Sequence, residues 1–362
     1  MSYSIPSFFL NIEEENLEEL RSDLWNDDPV PASLHVDGIT YDVDLAYRGS
    51  YTRNFRKRSY RIEFIEPETF SEAREIHLNA EYKDPSLIRN KLSFDFFHDL
   101  GVLAPKSQHI FLIRNGSAKG VYLQLESVDD LFLKQRALPT GPIYYAVNND
   151  ANFSLMRDEK MKDSILSGYE RAVGSRADDA KLRKFIQHVN TIPLCDFRDE
   201  ISRYINIDKF LYWLAGAVCT MNNDGFTHNY ALYHNNETGL IEFIPWDYDA
   251  TWGRKVDGGI MQSDYVPIEG KKSNHLCYLL MRVPEFRARY QNILIDILET
   301  KFTVDHMESK ISSLHEALRP YVLIDPYKKA KIDAFDSEPE FILQFIRDRN
   351  SYLKAQLADF TY

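Results

Sequence analysis

The sequence predicts an α+β fold with a strand-rich first third and a helix-rich remainder. Up to Glu126, apolar and polar residues alternate in short segments, whereas beyond it apolar residues recur at helical spacing. Strands and helices are therefore segregated along the chain and do not alternate as in a doubly wound parallel sheet. No Pro- or Gly-rich linker separates the two parts. We therefore expect two lobes of one unit, residues 1–127 and 128–362.

Composition and charge exclude several classes of protein. The 362 residues include 44% hydrophobic and 13% aromatic residues, which is too many for a disordered chain. Three cysteines without zinc-ligand spacing exclude a disulfide scaffold and a zinc site. A formal charge of −12 argues against general binding to nucleic acid or to anionic membranes. The N-terminus lacks the basic flank of a signal peptide, and the longest apolar stretch, 211–221, is too short to span a bilayer.

The first third of the chain is predicted to contain two β-hairpins and one helix. The dipeptides Asp37-Gly38 and Asn115-Gly116 are typical of two-residue hairpin turns. Strands are predicted at 33–36, 40–48, 60–64, 109–113 and 121–125. Between the third and fourth of these strands, Asp84 is placed as a helix N-cap, Pro85 as the first helical residue and Gly101 as the stop.

The remainder of the chain is predicted to be mainly helical. Helices are expected at 129–136, 180–189, 197–205 and 207–221, with long amphipathic helices towards the C-terminus. The polar segment 156–177 shows no period and is predicted to be a mobile connection. A short hairpin, with strands at 229–233 and 241–244, follows the most apolar helix, 207–221.

Polar side chains gather at both ends of this short hairpin. Asp224 and Asn229 lie in the loop before it, and Asp247 and Asp249 follow its second strand. The order helix, Asp-x4-Asn, hairpin and Asp is that of the catalytic elements in protein kinases. There, the first Asp deprotonates the acceptor hydroxyl, and the Asn and the later Asp bind magnesium through oxygen atoms. The spacing alone also suits a turn pair and loop-stabilising carboxylates, so it leaves both interpretations open.

The first third offers residues for the nucleotide. Arg48-Gly49-Ser50 lies between two predicted strands, where a kinase carries its phosphate-covering loop, although G-x-G-x-x-G is absent. Lys57 and Arg58 begin the next strand, and its period does not decide which of them faces a phosphate. Glu126 ends the second hairpin, where a kinase hinge would present backbone groups to adenine.

Together these segments resemble the CotH spore-coat kinases of endospore-forming bacilli over nearly the full chain. The resemblance implies a bilobal, protein-kinase-like fold with a strand-rich N-lobe, a helical C-lobe, and ATP with magnesium or manganese between them. It also implies an atypical protein kinase that phosphorylates serine residues of other coat proteins. The segments are Tyr47-Arg48-Gly49-Ser50, Lys57-Arg58-Ser59-Tyr60, Asp84-Pro85-Ser86-Leu87-Ile88-Arg89-Asn90-Lys91, Gly120-Val121-Tyr122-Leu123-Gln124-Leu125-Glu126 and Trp246-Asp247-Tyr248-Asp249.

The resemblance also implies roles for individual residues. Asp224 corresponds to the catalytic aspartate, Asp247 to the principal magnesium ligand and Asn229 to the second metal position. Asp249 is expected either to support the metal loop or to bind metal directly.

Three further features of ordinary kinases are absent from the sequence. There is no His-Arg-Asp before the catalytic aspartate and no Asp-Phe-Gly. The predicted helix from Pro85 to Asp99 lacks a glutamate to pair with the strand lysine. In that helix Arg89, which could meet a phosphate directly, and Asp95 are the alternatives.

The expected function is therefore transfer of the ATP γ-phosphoryl group to serines of basic, serine-rich spore-coat proteins. Synthesis in the mother-cell cytoplasm followed by incorporation into the coat is expected, with no nucleic-acid or membrane partner; the sequence predicts no oligomeric state. Two alternatives stay open. One is a nucleotidyltransferase that moves AMP on the same fold, and the other is a non-catalytic coat scaffold.

Overall fold

The computed structural model describes residues 3–157 and 159–360 and confirms the α+β class. The first third contains the strands β1 (Ser7–Asn11), β2 (Val30–Val36), β3 (Ile39–Arg48), β4 (Ser59–Phe64), β5 (Glu75–Asn79), β6 (Ser107–Arg114) and β7 (Ser117–Glu126). They close into a barrel in the order β1-β2-β3-β4-β5-β7-β6. Neighbours are antiparallel except β1 and β6, which run parallel. The sequence had not predicted β1, β5 or the closure.

The barrel hairpins turn where the sequence predicts. Asp37 and Gly38 have φ angles of 51° and 82°, and Asn115 and Gly116 have 47° and 71°. Positive φ at both central residues is the geometry that matches the twist of the flanking strands. Alternate side chains such as Leu45 then point into the barrel, where they are fully buried.

Two helices accompany the barrel, α1 (Glu14–Ser22) and α2 (Arg89–Asp99). The second begins at Arg89, so the prediction that it starts at Pro85 is wrong. The carboxylate of Asp84 accepts hydrogen bonds from the backbone N–H of Ser86 at 2.9 Å and of Arg89 at 3.1 Å. The backbone at Leu87 adopts a left-handed conformation with a φ of 62°. A buried turn therefore occupies the predicted first helical turn.

The rest of the chain combines eight helices with two small sheets among the described residues. The helices are α3 (Asp130–Gln135), α4 (Arg176–Thr191), α5 (Phe197–Ile201), α6 (Ile207–Thr220), α7 (His275–Leu280), α8 (Pro284–Thr300), α9 (Val304–Val322) and α10 (Ile332–Asp359). The strands are β8 (Ile143–Ala146), β9 (Met156–Arg157), β10 (Lys160–Met161), β11 (Tyr169–Val173), β12 (Tyr230–His234) and β13 (Ile241–Pro245). The larger sheet has the order β11-β8-β12-β13.

The polar segment 156–177 contains three of these strands, contrary to the prediction of a connection without regular structure. β9 pairs with β10, and β11 is the edge strand next to β8. In β11 the end residues Tyr169 and Val173 are half-buried, and the three residues between them are exposed. Because an edge strand of this kind buries little apolar surface, its sequence carries no clear alternation.

Two hydrophobic cores hold the molecule together. One fills the barrel. The other surrounds α6 and includes α2 and residues of β6 and β7 such as Phe111 and Val121. The barrel and the helical part are thus joined by continuous apolar packing. The division at residues 127 and 128, and the bilobal arrangement, stay predictions.

No helix in the described residues has the length and apolarity that a bilayer span requires.

Candidate active site

The loop after α6 holds Asp224 at a defined position. Met221 ends α6 in a left-handed conformation with a φ of 60°, and Asp224 opens a 3-10 turn that runs to Phe226. The buried side chain of Asn222 accepts the N–H of Asp224 at 3.2 Å and that of Gly225 at 2.9 Å. Asn222 therefore fixes the backbone of the loop, and the half-buried carboxylate of Asp224 projects from it.

A lysine from a distant loop completes the surroundings of Asp224. The side-chain amide of Asn223 donates to Oδ1 of Asp224 at 2.9 Å, and Nζ of Lys271 donates to Oδ1 of Asn223. Burial lowers the pKa of the Lys271 ammonium, and the negative charge of Asp224 opposes that change. Lys271 is not among the residues predicted from the sequence, since nothing in its local sequence marks it.

The hairpin of β12 and β13 brings Asn229 and the aspartates after β13 to one end. Tyr230 pairs with Pro245, and the backbone N–H of Trp246 donates to the carbonyl of Asn229 at 3.1 Å. Asn229 and Asp247 both adopt left-handed backbone conformations, with φ angles of 60° and 55°. Asparagine and aspartate tolerate this conformation better than other residues with a side chain, and left-handed residues other than glycine are concentrated at functional sites.

The carboxylates of Asp247 and Asp249 lie where negative charge is unfavourable. Burial raises the pKa of Asp247, and the nearby negative charge of Asp224 adds to the increase, while Arg48 opposes it. Burial also holds the pKa of Asp249 well above its usual range, with Asp247 and Glu81 contributing. Carboxylates in this environment are stabilised by a cation.

The available donor set fits a hard divalent cation. Asp247 and Asp249 offer carboxylate oxygens and Asn229 offers an amide oxygen, the ligand type that magnesium prefers. No group of three or more acidic, histidine or cysteine side chains within residues 3–157 and 159–360 is already arranged to hold a metal. A cation here would therefore need further oxygens from nucleotide phosphates and water, as magnesium usually does in phosphoryl-transfer sites.

Asp247 and Asp249 line a polar cleft beside the barrel. Gly49 has a φ of 92°, and a Cβ atom at this position would lie 2.3 Å from Oγ1 of Thr52. Only glycine fits there without rearrangement. The lining residues are Arg48, Gly49, Thr52, Phe55, Lys57, Ser59, Asn79, Ala80, Glu81, Tyr82, Lys83, Asp247, Asp249 and Val256.

Arg48 connects the barrel to the aspartates. Its guanidinium lies 5.6 Å from the ring centroid of Trp246 and donates a hydrogen bond to Oδ1 of Asn79. Burial lowers the pKa of Arg48, and the charge of Asp247 opposes that change more than any other neighbour. This predicted nucleotide-binding residue therefore lies in the cleft next to the predicted metal ligand.

The structure separates Lys57 from Arg58. Lys57 lines the cleft and is 1% exposed; its Nζ donates to the carbonyl of Val121 and lies 3.4 Å from Oδ2 of Asp325. Arg58 instead donates to the carbonyl of Arg53 at 3.0 Å and does not line the cleft.

Ser50 lies beside the cleft in an exposed position. Its carbonyl accepts the N–H of Arg53 at 3.2 Å and thereby closes the 3-10 turn Tyr51–Asn54. Its neighbours Gly49 and Thr52 line the cleft, whereas Ser50 does not.

Arg89 is placed differently from the expectation that it meets a phosphate directly. Its side chain is fully buried away from the cleft, and each of its three nitrogens already donates to protein. Nη2 binds Glu338 of α10 at 2.6 Å, Nε binds the carbonyl of Thr251 at 3.1 Å, and Nη1 binds Asp84 at 2.5 Å. Arg89 thus joins the start of α2 to the C-terminal helix.

Glu126 also has its carboxylate occupied by protein groups. Both oxygens accept from the guanidinium of Arg136, at 2.9 and 2.7 Å, and Oε2 accepts the N–H of Lys106 at 2.8 Å. Its own N–H donates to the carbonyl of Lys106 at 3.0 Å. The side chain is therefore a structural anchor at the end of β7.

Comparisons with known proteins show the family to which the chain belongs. Residues 45–353 match a family model described as CotH kinase protein. The chain is 50% identical over 357 residues to the inner spore coat protein H of Bacillus subtilis (strain 168), covering 98% of each chain. It is 27% identical over 285 residues to the inner spore coat protein H-like protein of the same strain, covering 79% of this chain and 81% of that one.

Similarity to solved structures is weak. The proinflammatory kinase CtkA of Helicobacter pylori matches 91% of this chain and 94% of its own at 9% identity, with a TM-score of 0.29. A score this low supports no argument about fold or function.

Proposed function

Because the chain belongs to the CotH kinase family, we propose that it is an atypical, ATP-dependent protein serine kinase of the spore coat. The observation that carries the proposal is the meeting of three predicted residues at one end of the β12–β13 hairpin. The carbonyl of Asn229 accepts the hydrogen bond from Trp246 that closes this end, and Asp247 follows Trp246 directly. Burial raises the pKa of Asp247, and the charge of Asp224 is near enough to add to that increase. The cleft lined by Arg48 and Lys57 adjoins them.

In this proposal Asp224 is the base. The serine Oγ attacks the γ-phosphorus of ATP, the bond from that phosphorus to the bridging β–γ oxygen breaks, and ADP leaves with the electron pair. The serine proton passes to the Asp224 carboxylate, which the Asn223 amide orients from 2.9 Å. Asp247 and Asn229, with Asp249, would hold magnesium or manganese. When bound, that ion neutralises phosphate charge.

The barrel side of the cleft would hold the phosphates. Arg48 and Lys57 supply positive charge, and the bare backbone of Gly49 permits close approach of a phosphate. The structure favours Lys57 over Arg58 for this role. Arg89 and Glu126 support the site from outside the cleft in this arrangement, through their contacts with Glu338 and Arg136.

The proposed substrates are basic, serine-rich coat proteins. The formal charge of −12 favours encounter with positively charged partners. The relative named inner spore coat protein H supports a location in the coat. A phosphorylation rate that falls steeply with added salt is expected, whereas a rate independent of salt would contradict electrostatic recruitment.

Position-labelled ATP tests the proposal. The protein is incubated with magnesium, a basic serine-rich protein and ATP labelled at either the γ or the α phosphate. We expect transfer of the γ label to serine, loss of transfer in Asp224→Asn, and retention in Asp264→Asn, an exposed aspartate of the loop before α7. Transfer of the α label would instead identify a nucleotidyltransferase. ATP binding that needs no metal, with no transfer of either label, would favour a scaffold.

A further inference from the structure

Glu81 is a buried carboxylate that the proposed chemistry has not used. It lies in the loop between β5 and α2, lines the cleft and is 6% exposed. Its Oε1 accepts a hydrogen bond from Nδ2 of Asn90 at 3.1 Å. Its Oε2 has no hydrogen-bond partner among the described residues. A buried carboxylate oxygen without a partner is costly, so a group that is bound during function is expected to meet it.

The backbone that carries the Glu81 carboxylate is held in an unfavourable conformation. The backbone of Glu81 has a φ of 46°, a left-handed conformation that a non-glycine residue adopts only when its surroundings enforce it. Lys328 provides that constraint. Its ammonium donates to the carbonyls of Glu81 and Tyr82, each at 3.0 Å, and to that of Asp84 at 2.6 Å. A lysine ammonium has three donors, so all three of those of Lys328 are committed to backbone carbonyls.

A single side chain connects Glu81 to the metal-binding candidates. Asn90, which binds Glu81 through Nδ2, also accepts the backbone N–H of Tyr248 through Oδ1 at 3.0 Å. Tyr248 lies between Asp247 and Asp249. The Asn90 side chain therefore fixes Glu81 relative to both aspartates. All three carboxylates line the same cleft, and the negative charge of Asp247 adds to the effect of burial in raising the pKa of Glu81.

We propose that Glu81 is a cation-binding residue of this cleft, which acts with Asp247 and Asp249 on a divalent cation that enters with the nucleotide. The inference rests on the proposed kinase function. The cation is magnesium or manganese, because the oxygens offered are hard carboxylate ligands. Phosphate oxygens and water complete its coordination shell, since the protein groups alone do not form a ready metal cluster.

Direct metal binding tests this inference without relying on turnover. Binding of Mn²⁺ is followed by electron paramagnetic resonance at a fixed concentration of ATP, in wild type, Glu81→Gln and Glu81→Asp. Metal-free nucleotide binding is measured separately with a fluorescent ATP analogue. Glu68→Gln, at an exposed position after β4, is the matched control. We expect Glu81→Gln to weaken Mn²⁺ binding by roughly 10-fold or more while nucleotide affinity without metal stays within about 2-fold.

Thermal unfolding in the absence of metal shows whether the variants fold. Glu81→Gln keeps the side-chain shape and adds no charge to the buried site, so its midpoint should equal or exceed that of wild type. Mn²⁺ affinity unchanged by Glu81→Gln, with wild type binding Mn²⁺ and ATP normally, would overturn the inference and leave the proposed function intact. A wild-type protein that binds neither would overturn both.

Discussion

Lys57 of the barrel and Asp325 of the turn between α9 and α10 form a buried ion pair beside the nucleotide cleft. Their Nζ and Oδ2 atoms are 3.4 Å apart, and both side chains are inaccessible to solvent. Oδ2 of Asp325 also accepts the N–H of Val121 in β7 at 2.9 Å, and its Oδ1 accepts the N–H of Tyr327 at 2.7 Å. The turn between α9 and α10 is thus hydrogen-bonded to β7, the strand whose Val121 carbonyl accepts from Lys57. This turn therefore helps to shape the cleft.

Removing the negative charge of Asp325 should destabilise the protein strongly. Asp325→Asn keeps the size of the side chain but leaves the Lys57 ammonium buried without a counter-charge, which typically costs about 3–5 kcal/mol. The free energy of unfolding is measured by urea titration. Asp333→Asn, on the exposed face of α10, is the control and should change it by less than about 0.5 kcal/mol. Equal unfolding midpoints for the two variants would contradict the importance of the pair.

Stability should fall at acid pH partly because of His109. Burial lowers the pKa of His109 to about 4, and its Nε2 lies 2.8 Å from the carbonyl of Leu87. The unfolded chain, with an ordinary histidine pKa of about 6.5, therefore binds a proton that the folded chain refuses between these values. This contribution to stability is complete above about pH 6.5 and falls as the pH is lowered, and the loss amounts to roughly 3 kcal/mol by pH 4.

Urea titrations of wild type and His109→Gln at several pH values check this effect. Glutamine can donate to the Leu87 carbonyl but does not titrate, so the variant should lose less stability between pH 7 and pH 4. Parallel stability curves for the two proteins would show that His109 is not responsible.

Local sequence was sufficient for those elements whose geometry is determined by neighbouring residues. The dipeptides Asp37-Gly38 and Asn115-Gly116 supply the positive φ angles that their hairpins need. The start of α2 was mispredicted because a buried Arg89, bonded to Glu338 at the other end of the chain, favours a turn over helix at Pro85. The parallel pairing of β1 with β6, which closes the barrel, likewise depends on contacts between distant segments.

The candidate site likewise contains residues that could be predicted from the sequence and residues that could not. The Asp-x4-Asn spacing and the aspartate after the hairpin could be recognised because one hairpin brings Asn229 and Asp247 together. Lys271 and Asp325 could not be found, since each contacts the site through tertiary packing and neither has a characteristic spacing. Glu81 lies close in sequence to the segment that begins at Asp84. The lack of a hydrogen bond to its Oε2, however, can be seen only in the structure.

A side chain at Gly49 should weaken nucleotide binding. In Gly49→Ala the new Cβ would lie 2.3 Å from Oγ1 of Thr52, on a backbone with a φ of 92°. The Thr52 side chain or the loop must then move, and strain of about 1–3 kcal/mol corresponds to roughly 5- to 150-fold in affinity if it is relieved by leaving the bound geometry. Gly38→Ala is the control, because its φ of 82° imposes similar strain but no atom lies within 4 Å.

Nucleotide affinity measured with a fluorescent ATP analogue distinguishes the two alanine variants. Gly38→Ala is expected to lose stability but to bind like wild type, since the Asp37-Gly38 turn is not part of the cleft. Equal affinity in Gly49→Ala and wild type would contradict a phosphate site at this loop.

Lys271 should affect the rate of phosphoryl transfer more than the binding of ATP. Its ammonium holds Asn223, and Asn223 in turn donates to Oδ1 of Asp224 at 2.9 Å. Lys271→Met keeps most of the side-chain volume but releases this orientation, so we expect kcat to fall by about 10- to 100-fold, with KM for ATP within about 3-fold of wild type. Lys272→Met is a closely matched control, because the adjacent lysine is exposed.

Steady-state kinetics with γ-labelled ATP measure both constants, and Lys271→Arg should recover part of the rate because it restores a cationic donor. If KM rose and kcat did not change, Lys271 would be acting in nucleotide binding and not in positioning the base. Equal kcat values for Lys271→Met and Lys272→Met would remove Lys271 from the proposed mechanism.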